Sequence, residues 1–396
     1  MKIKIRYLEN FAWLVVLVIL FWQFLFSKFS IVSNLALGYI AVMNILRNKN
    51  KKFFIVIGIV LLFLISYSLI QGNELSFVIR FAIIIFLLLS SYEWLMVKPR
   101  FFLKCLFIIS SILVLFLIGL EAYLFSVTEA EYSFIRNEVV LANGIGDVFL
   151  YNGLYFKLEL RGTSLIAFVY MLSYVTEVFP YKKRWFFRLY FLVGTILAGN
   201  FAYQLAIIVF HIVYYLFPSF DNPKLFVQRI TRVMLISFFA GGLLFSFISN
   251  TMKEKKDVSS AARIEQTRVL MSDLTRTNTT LLLGAGLGHS CDVKTSWRDY
   301  RRNTYFELQT LYFVNQLGLI GFAMLLISNI ILAFRKIKYR KLLLVYCVYA
   351  IYAFTNPYMW DTTHIVVIVS LLCCKFYIKY ERKKSIVYTG LVQTQR

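Results

Sequence analysis

Long apolar runs alternate with short basic segments along most of this chain. The run from Phe11 to Phe26 is interrupted only by Gln23. The runs Phe53 to Ile70, Phe77 to Ser91, Phe101 to Leu120 and Ile320 to Phe334 carry Arg80 and Lys104 as their only charges. About 20 apolar residues in a helix cross the hydrocarbon core of a bilayer. Inside lipid a backbone must satisfy its own hydrogen bonds, so such runs are helices. The strict alternation of a membrane β-barrel is absent. The pattern predicts twelve spans, near 8–26, 30–46, 53–70, 76–96, 101–121, 161–179, 186–199, 201–217, 231–249, 306–334, 341–355 and 362–379. The pair between 186 and 217 reads either as one long helix or as two short ones, and Gly199-Asn200 offers the break. The first run follows a basic start but precedes no small-residue cleavage site, so it is expected to be a retained span.

Lys and Arg set the orientation. They cluster at Lys2–Arg6, Arg47–Lys52, Lys98–Lys104, Lys182–Arg188, Lys224–Arg232, Arg335–Lys341 and Lys379–Lys384. Consecutive clusters enclose two spans each, which puts all seven, and both termini, on the cytoplasmic side. The expected fold is therefore an all-α integral membrane protein of about 12 transmembrane helices. It forms a single polytopic domain over 1–396, with two long extracytoplasmic loops near 122–160 and 250–305.

Composition agrees. The chain is 60% hydrophobic and 16% charged, with a mean hydropathy of +0.70, where a soluble domain carries about 25% charged residues. The net charge of +23 fits basic inner loops facing anionic lipid, or an anionic substrate. Nucleic acid is not an expected partner, because the charge sits in short loops between spans. Of five cysteines, four lie in apolar runs and Cys291 stands in a polar loop. Their spacing fits neither a disulfide framework nor a metal-binding pair.

The candidate chemistry lies in the outer loops. Ser259-Ser260 can cap a helix over Ala261–Thr275, whose Ile264, Thr267, Met271 and Leu274 suggest an amphipathic face. Arg263 and Arg268 on it stand about 140° apart, so they either serve different partners or lie in an enclosing groove. Leu283-Gly-Ala-Gly-Leu-Gly288 is either a flexible turn or a run of backbone amides facing a phosphate. His289 beside it, in a water-accessible loop, is a candidate acid–base group, while His211 lies in mid-span as either a packed or a functional side chain. In Trp297–Glu307, Arg301, Arg302, Asn303 and Tyr305 precede a carboxylate at the mouth of a span. Arginine grips phosphate bidentately, and tyrosine stacks on sugars. Glu307 is either paired to Arg301 or Arg302, or used. Arg161, opening the sixth span, either snorkels or holds an anion. No carboxylate pair with metal spacing is visible in the second loop, so neither an essential metal nor a cofactor is expected.

These features resemble the Wzy-type polymerases of O-antigen and capsule repeat units, which share a superfamily with the O-antigen ligases. The resemblance covers most of the chain in topology. From Gly284 to Gly321 a glycine-rich turn is followed by Glu307-Leu308, nine residues, Gly318, two residues and Gly321. Ligases are similar but carry His and a polar partner where this chain has Glu307 and Leu308. Thr355-Asn356-Pro357-Tyr358 looks like the Asn-Pro turn of polymerases. Leu197-Ala-Gly-Asn200 stands where many relatives have Ser-Arg, and the Arg is missing here.

The resemblance implies a glycosyltransferase of the bacterial cytoplasmic membrane. It would polymerise undecaprenyl-pyrophosphate-linked oligosaccharides into O-antigen, capsule or exopolysaccharide at the outer face. It further implies Glu307 as catalytic base with His289 in reserve. Arg161, Arg263, Arg268, Arg301, Arg302, Asn303, Tyr305, Asn200 and Asn356 would contact substrate. Membrane lipids, a chain-length regulator and a flippase are the partners it suggests. A ligase, and a lipid-linked-oligosaccharide flippase or transporter, remain the alternatives. A flippase would want ionisable residues along its spans and two symmetric halves.

Overall fold

The computed structural model describes residues 2–95, 98–151, 153–176, 183–237, 259–294, 306–354 and 356–393. Among these, six helices are long and apolar enough to cross a membrane: Ser30–Arg47, Lys51–Ile70, Pro99–Ser126, Phe201–Ser219, Gln309–Ile337 and Thr362–Lys379. Tyr7–Phe21, Leu75–Ser91 and Ser164–Val175 are shorter apolar helices. In chain order the main helices are α1 (Lys2–Phe21), α2 (Ser30–Arg47), α3 (Lys51–Ile70), α4 (Leu75–Ser91), α5 (Pro99–Ser126), α6 (Ser164–Val175), α7 (Arg184–Leu197), α8 (Phe201–Leu216), α9 (Ser259–Leu274), α10 (Asn278–Leu283), α11 (Gln309–Ile337), α12 (Arg340–Phe354) and α13 (Thr362–Gln393). Residues 223–237 are also helical, and the rest of the span expected at 231–249 lies outside the described residues.

Sequence alone does not separate peripheral from central helices, because all are apolar. A helix that is apolar all round is buried in protein or faces lipid. Here α6 is buried along Ser164–Ser173 and α13 along Thr363–Cys374, so these two form the centre. By contrast α3 exposes Ile55, Ile59, Leu62, Phe63 and Ile70, an apolar surface of the kind that lipid covers. The first helix is integral to the packing. Its Trp13, Val16, Leu17 and Phe21 are buried, and Trp13 meets Trp94 and Phe102 edge-on or tilted.

The break in the 186–217 region falls where the sequence offers it. Helix α7 ends at Leu197, Gly199 takes φ +72°, and the Asn200 side chain caps α8 by accepting from the Ala202 amide at 2.9 Å. A left-handed φ suits glycine because it has no Cβ. A second break was not foreseen. Gly318 sits inside α11 at φ 67°, ψ 178°, so the expected single span of 306–334 is two segments. Residues 319–337 measure roughly 28 Å at 1.5 Å per residue, enough for the hydrocarbon core. Residues 309–317 form a separate half-helix, which carries the buried polar side chains Gln309, Thr310, Asn315 and Gln316.

Inter-helix contacts sort the helix ends into two groups. At one end Arg47 pairs with Glu9 and Lys336 with Glu93. Asn48 donates to the Glu93 carbonyl at 2.7 Å, and Arg340 lies 3.6 Å from Asp221. At the other end the chain forms its only β-structure among the described residues, the antiparallel pair β1 (Gly146–Tyr151) and β2 (Tyr155–Leu160). It follows a capping box at Thr128–Glu131. The hairpin lies within the long loop expected near 122–160, and the described fold is otherwise built of helices as expected. The hairpin's period-2 face of Val148, Leu150, Phe156, Leu158 and Leu160 is short and reads as part of a polar loop. Register pairs Phe149 with Lys157 and Asp147 with Glu159 on the opposite face. Gly162, just after β2, packs onto the carbonyls of Leu20 and Phe21 at the end of α1.

Candidate functional site

The hairpin end carries a cluster of polar side chains, and α9 is its framework. The helix forms close to the expected bounds, and it buries one face in protein. Ile264 and Met271 are exposed, whereas Gln266, Leu270 and Leu274 are buried. The reason is tertiary. Helix α9 packs against the half-helix of α11, where Gln266 accepts from the Leu308 amide (3.4 Å) and the Leu270 carbonyl from Asn315 (3.3 Å). Polar contacts and the two leucines, at i, i+4, i+8 spacing from Gln266, bury this face together.

Arg263 lies beside Glu307, with Nε 3.3 Å from Oε2. The other partners expected for Glu307 are Arg301 and Arg302. Those two, with Asn303 and Tyr305, lie outside the described residues. The Glu307 backbone is held on both sides. The preceding Phe306 is fully buried against Tyr312 and its amide donates to Gln309, while the Leu308 amide donates to Gln266. The side chain is 39% exposed and stands two residues before the half-helix begins at Gln309. Arg268, five residues along α9, is exposed, and a straight helix turns it away from Arg263.

Other expected residues converge on the same end. Asn200 and Asn356 meet at 3.4 Å, Asn356 donating back to the Tyr352 carbonyl at 2.7 Å. Their positions are therefore largely explained by capping and by joining α8 to the turn after α12. Tyr358 hydrogen-bonds Tyr203. Burial pushes the Tyr358 hydroxyl up to about 12, Glu159 and Asp361 add to the rise, and the Arg263 charge opposes it. These electrostatic couplings tie α9, the hairpin and the turn after α12 to one region. Arg161 follows β2, is half-buried, and lies against Gly144. Among the described residues it forms no ion pair.

Three residues of this region were not singled out from sequence. Lys157 is buried, with its ammonium over the Tyr151 ring at 3.7 Å and the Phe149 ring at 5.3 Å. Such cation–π contacts hold a desolvated cation. Its β2 position, opposite an aromatic residue, was the only available signal. Asp361 accepts from the Thr363 amide (2.8 Å) and hydroxyl (3.1 Å) at the start of α13, and burial pushes its carboxyl up to about 7 against those bonds. Asp273 belongs with His289, below.

The glycine segment is neither a flexible turn nor a phosphate cradle. Its amides are consumed in order. Gly284 donates to Thr280, Ala285 to Asn315, Gly286 to Gln316 and His289 to Gly286, all at carbonyls. Leu287 donates to the Ser68 hydroxyl and Gly288 to the Gln316 side chain, both at 2.7 Å. Gly284, Gly286 and Gly288 all take positive φ, and a Cβ at Gly284 would stand 2.3 Å from the Gln316 carbonyl. Gly318 packs onto the same place, a Cβ there lying 2.4 Å from the Gly284 nitrogen. Thus Gly284 and Gly318, two glycines of the Gly284–Gly321 pattern, touch each other.

His289 is not at the Glu307 carboxylate. Its Nε2 lies 3.0 Å from Asp273 Oδ2 and its Nδ1 3.4 Å from Asn73. Asp273 and Arg263 are ten residues apart on one helix, roughly 15 Å. His211 is packed, bonding Tyr170 at 2.6 Å.

No family model, curated protein or solved structure matches this chain. The function must therefore be argued from the chemistry at the hairpin end.

Proposed function

We propose that the chain is a glycosyltransferase of the bacterial cytoplasmic membrane, polymerising oligosaccharide repeats carried on undecaprenyl pyrophosphate. The hairpin end would face outward, the basic end would face the cytoplasm with both termini, and about twelve spans would cross between. The single observation that carries the reading is the Arg263–Glu307 pair. A carboxylate whose neighbouring backbone amides are both hydrogen-bonded stands beside a half-exposed guanidinium, in a region shared with Tyr358, Glu159 and Asp361. Gln266, one turn along α9, supports it. Its Nε2 is buried and has no partner among the described residues, a donor free for a ligand oxygen.

The chemistry needs two things. The acceptor sugar hydroxyl must lose its proton as it attacks the anomeric carbon, and the departing pyrophosphate must find cations. An ion pair this exposed is worth about 0–1 kcal/mol, so an arriving pyrophosphate can draw Arg263 away from Glu307 at little cost. That exchange takes one partner from the carboxylate, which would then accept the acceptor proton. The new glycosidic bond forms, the bond to pyrophosphate breaks, and undecaprenyl pyrophosphate leaves as the anion. Lys157, Arg161 and Arg268 are further cations of the same end, with Arg301 and Arg302 as candidates beside them. Asn303 and Tyr305 are kept as candidate sugar contacts. His289 is set aside as a base, because Asp273 and Asn73 occupy it.

The test is reconstitution of the purified protein with lipid-linked repeats. A product ladder growing by one repeat per step, with carrier pyrophosphate released, is the expected result. Movement of the lipid-linked sugar across the vesicle membrane without a ladder would replace this reading with transport. Transfer to a lipid A core without a ladder would make it a ligase.

A further inference from the structure

The side chains of Asp273, His289 and Cys291 point their ligand atoms at one spot. Asp273 Oδ2 is 3.0 Å from His289 Nε2 and 3.8 Å from Cys291 Sγ, and all the ligand atoms lie within 4.8 Å of one another. A tetrahedral zinc site, with Zn–N and Zn–O of about 2.0 Å and Zn–S of about 2.3 Å, places its ligand atoms about 3.3–3.8 Å apart. Shifts of a few tenths of an ångström to about an ångström would therefore admit a cation between the three.

The surroundings fix the atoms in the orientation a metal needs. The Asn73 amide group donates to the Ala285 carbonyl at 2.8 Å, which leaves its oxygen facing His289 Nδ1. Nδ1 must then carry the hydrogen, and the lone pair of a neutral imidazole falls on Nε2, aimed at a carboxylate oxygen. Two lone pairs 3.0 Å apart call for a proton or a metal ion between them. A carbonyl oxygen on the far nitrogen of a histidine is the arrangement that orients metal-bound imidazoles. Asn315 is fixed likewise. Its Nδ2 donates to Asp273 Oδ2 (2.9 Å) and to the Leu270 carbonyl (3.3 Å), and its Oδ1 turns to Cys291 Sγ at 3.8 Å. That oxygen, or a water, supplies a fourth ligand. The His289 carbonyl is anchored by the Tyr312 hydroxyl, so the loop bearing two ligands is held on the half-helix.

We propose that Asp273, His289 and Cys291 bind a zinc ion that pins α9 to the glycine segment. Imidazole with thiolate and a carboxylate suits zinc better than magnesium or calcium, which take oxygen ligands. Binding displaces the Cys291 thiol proton to solvent, leaving a thiolate–metal bond. The site is separate from the Arg263–Glu307 mouth and its role is structural, so the proposal does not depend on the transferase reading.

Cobalt(II) is the probe, added to the tag-free, chelator-stripped full-length protein in detergent. One cobalt per chain should bind, with the near-ultraviolet charge-transfer band of a thiolate–cobalt bond, and zinc should abolish the band at one equivalent. Cys291→Ser should remove the band, and Asp273→Asn and His289→Gln should each weaken zinc binding at least 100-fold. A wild-type protein that shows no thiolate band at tenfold excess cobalt overturns the proposal without reference to any variant. So does a band that persists in Cys291→Ser. If Cys291→Ser does not fold, loss of the band at one equivalent of zinc in wild type, together with the His289→Gln affinity, decides the matter.

Discussion

Glu307 and Asp361 are two carboxylates of one region with different environments. Glu307 is half-exposed and paired with Arg263. Glu307→Gln keeps the shape and the hydrogen bonds of its neighbours but removes the base. General-base removal typically costs about 10²–10⁴ in rate. Polymer yield should fall by that factor at unchanged protein level, and full yield would refute the assignment. Asp361 differs, since burial raises its carboxyl to about 7 while it caps α13. A carboxyl whose folded value lies above its unfolded value of 3.8 is most stabilising when protonated. Its contribution is full below about pH 4 and is lost as pH rises through about 7. Asparagine caps helices as well as aspartate does and does not ionise. Asp361→Asn should therefore flatten this part of the thermal-stability profile between pH 4 and 8, measured in detergent. An unchanged slope would show that the group does not titrate in this window.

At the scale of elements, the contact of Gly284 with Gly318 joins the segment after α10 to the break in α11. Both residues have positive φ and both face backbone atoms at 2.3–2.4 Å from any added Cβ. Neither relief by a rotamer nor a small shift is open, because the neighbours are main chain. Gly284→Ala and Gly318→Ala should each cost at least about 2 kcal/mol, combining a left-handed residue with a forced backbone displacement. Gly38 and Gly58 are helical with open space around them, and Ala there should be neutral or stabilise by up to about 1 kcal/mol. Thermal unfolding of the four purified variants checks the contrast. Equal effects at all four positions would mean that the glycine contact is not what sets the half-helix.

At the scale of the molecule, the ion pairs Arg47–Glu9 and Lys336–Glu93 gather at one end and the hairpin with α9 at the other. The positive-inside rule assigns the first end to the cytoplasm. Lys49 and Glu129 are exposed at opposite ends. In intact cells with the outer envelope permeabilised, a membrane-impermeant maleimide should label Glu129→Cys and leave Lys49→Cys unlabelled until the membrane is opened. The reverse pattern would invert the topology and remove the outer-face transferase.

The apolar runs, their lengths and the basic clusters between them were legible in the sequence, because the cost of unpaired backbone and of charge in lipid leaves few alternatives. The break at Gly199-Asn200 was legible for the same local reason, a glycine and a capping side chain. Other features could be read only from the tertiary structure. The strands Gly146–Tyr151 and Tyr155–Leu160 are too short for their alternation to stand out. The face that α9 buries in protein joins Leu270 and Leu274 with polar bonds to Leu308 and Asn315. Arg263, 44 residues away, pairs with Glu307 because folding brings α9 over the mouth of α11. The glycine amides were free in the sequence and are spent in the fold. Asp273 meets His289 and Cys291 only because the chain doubles back through α10, and no spacing rule joins residues that a turn of structure, rather than a turn of helix, brings together.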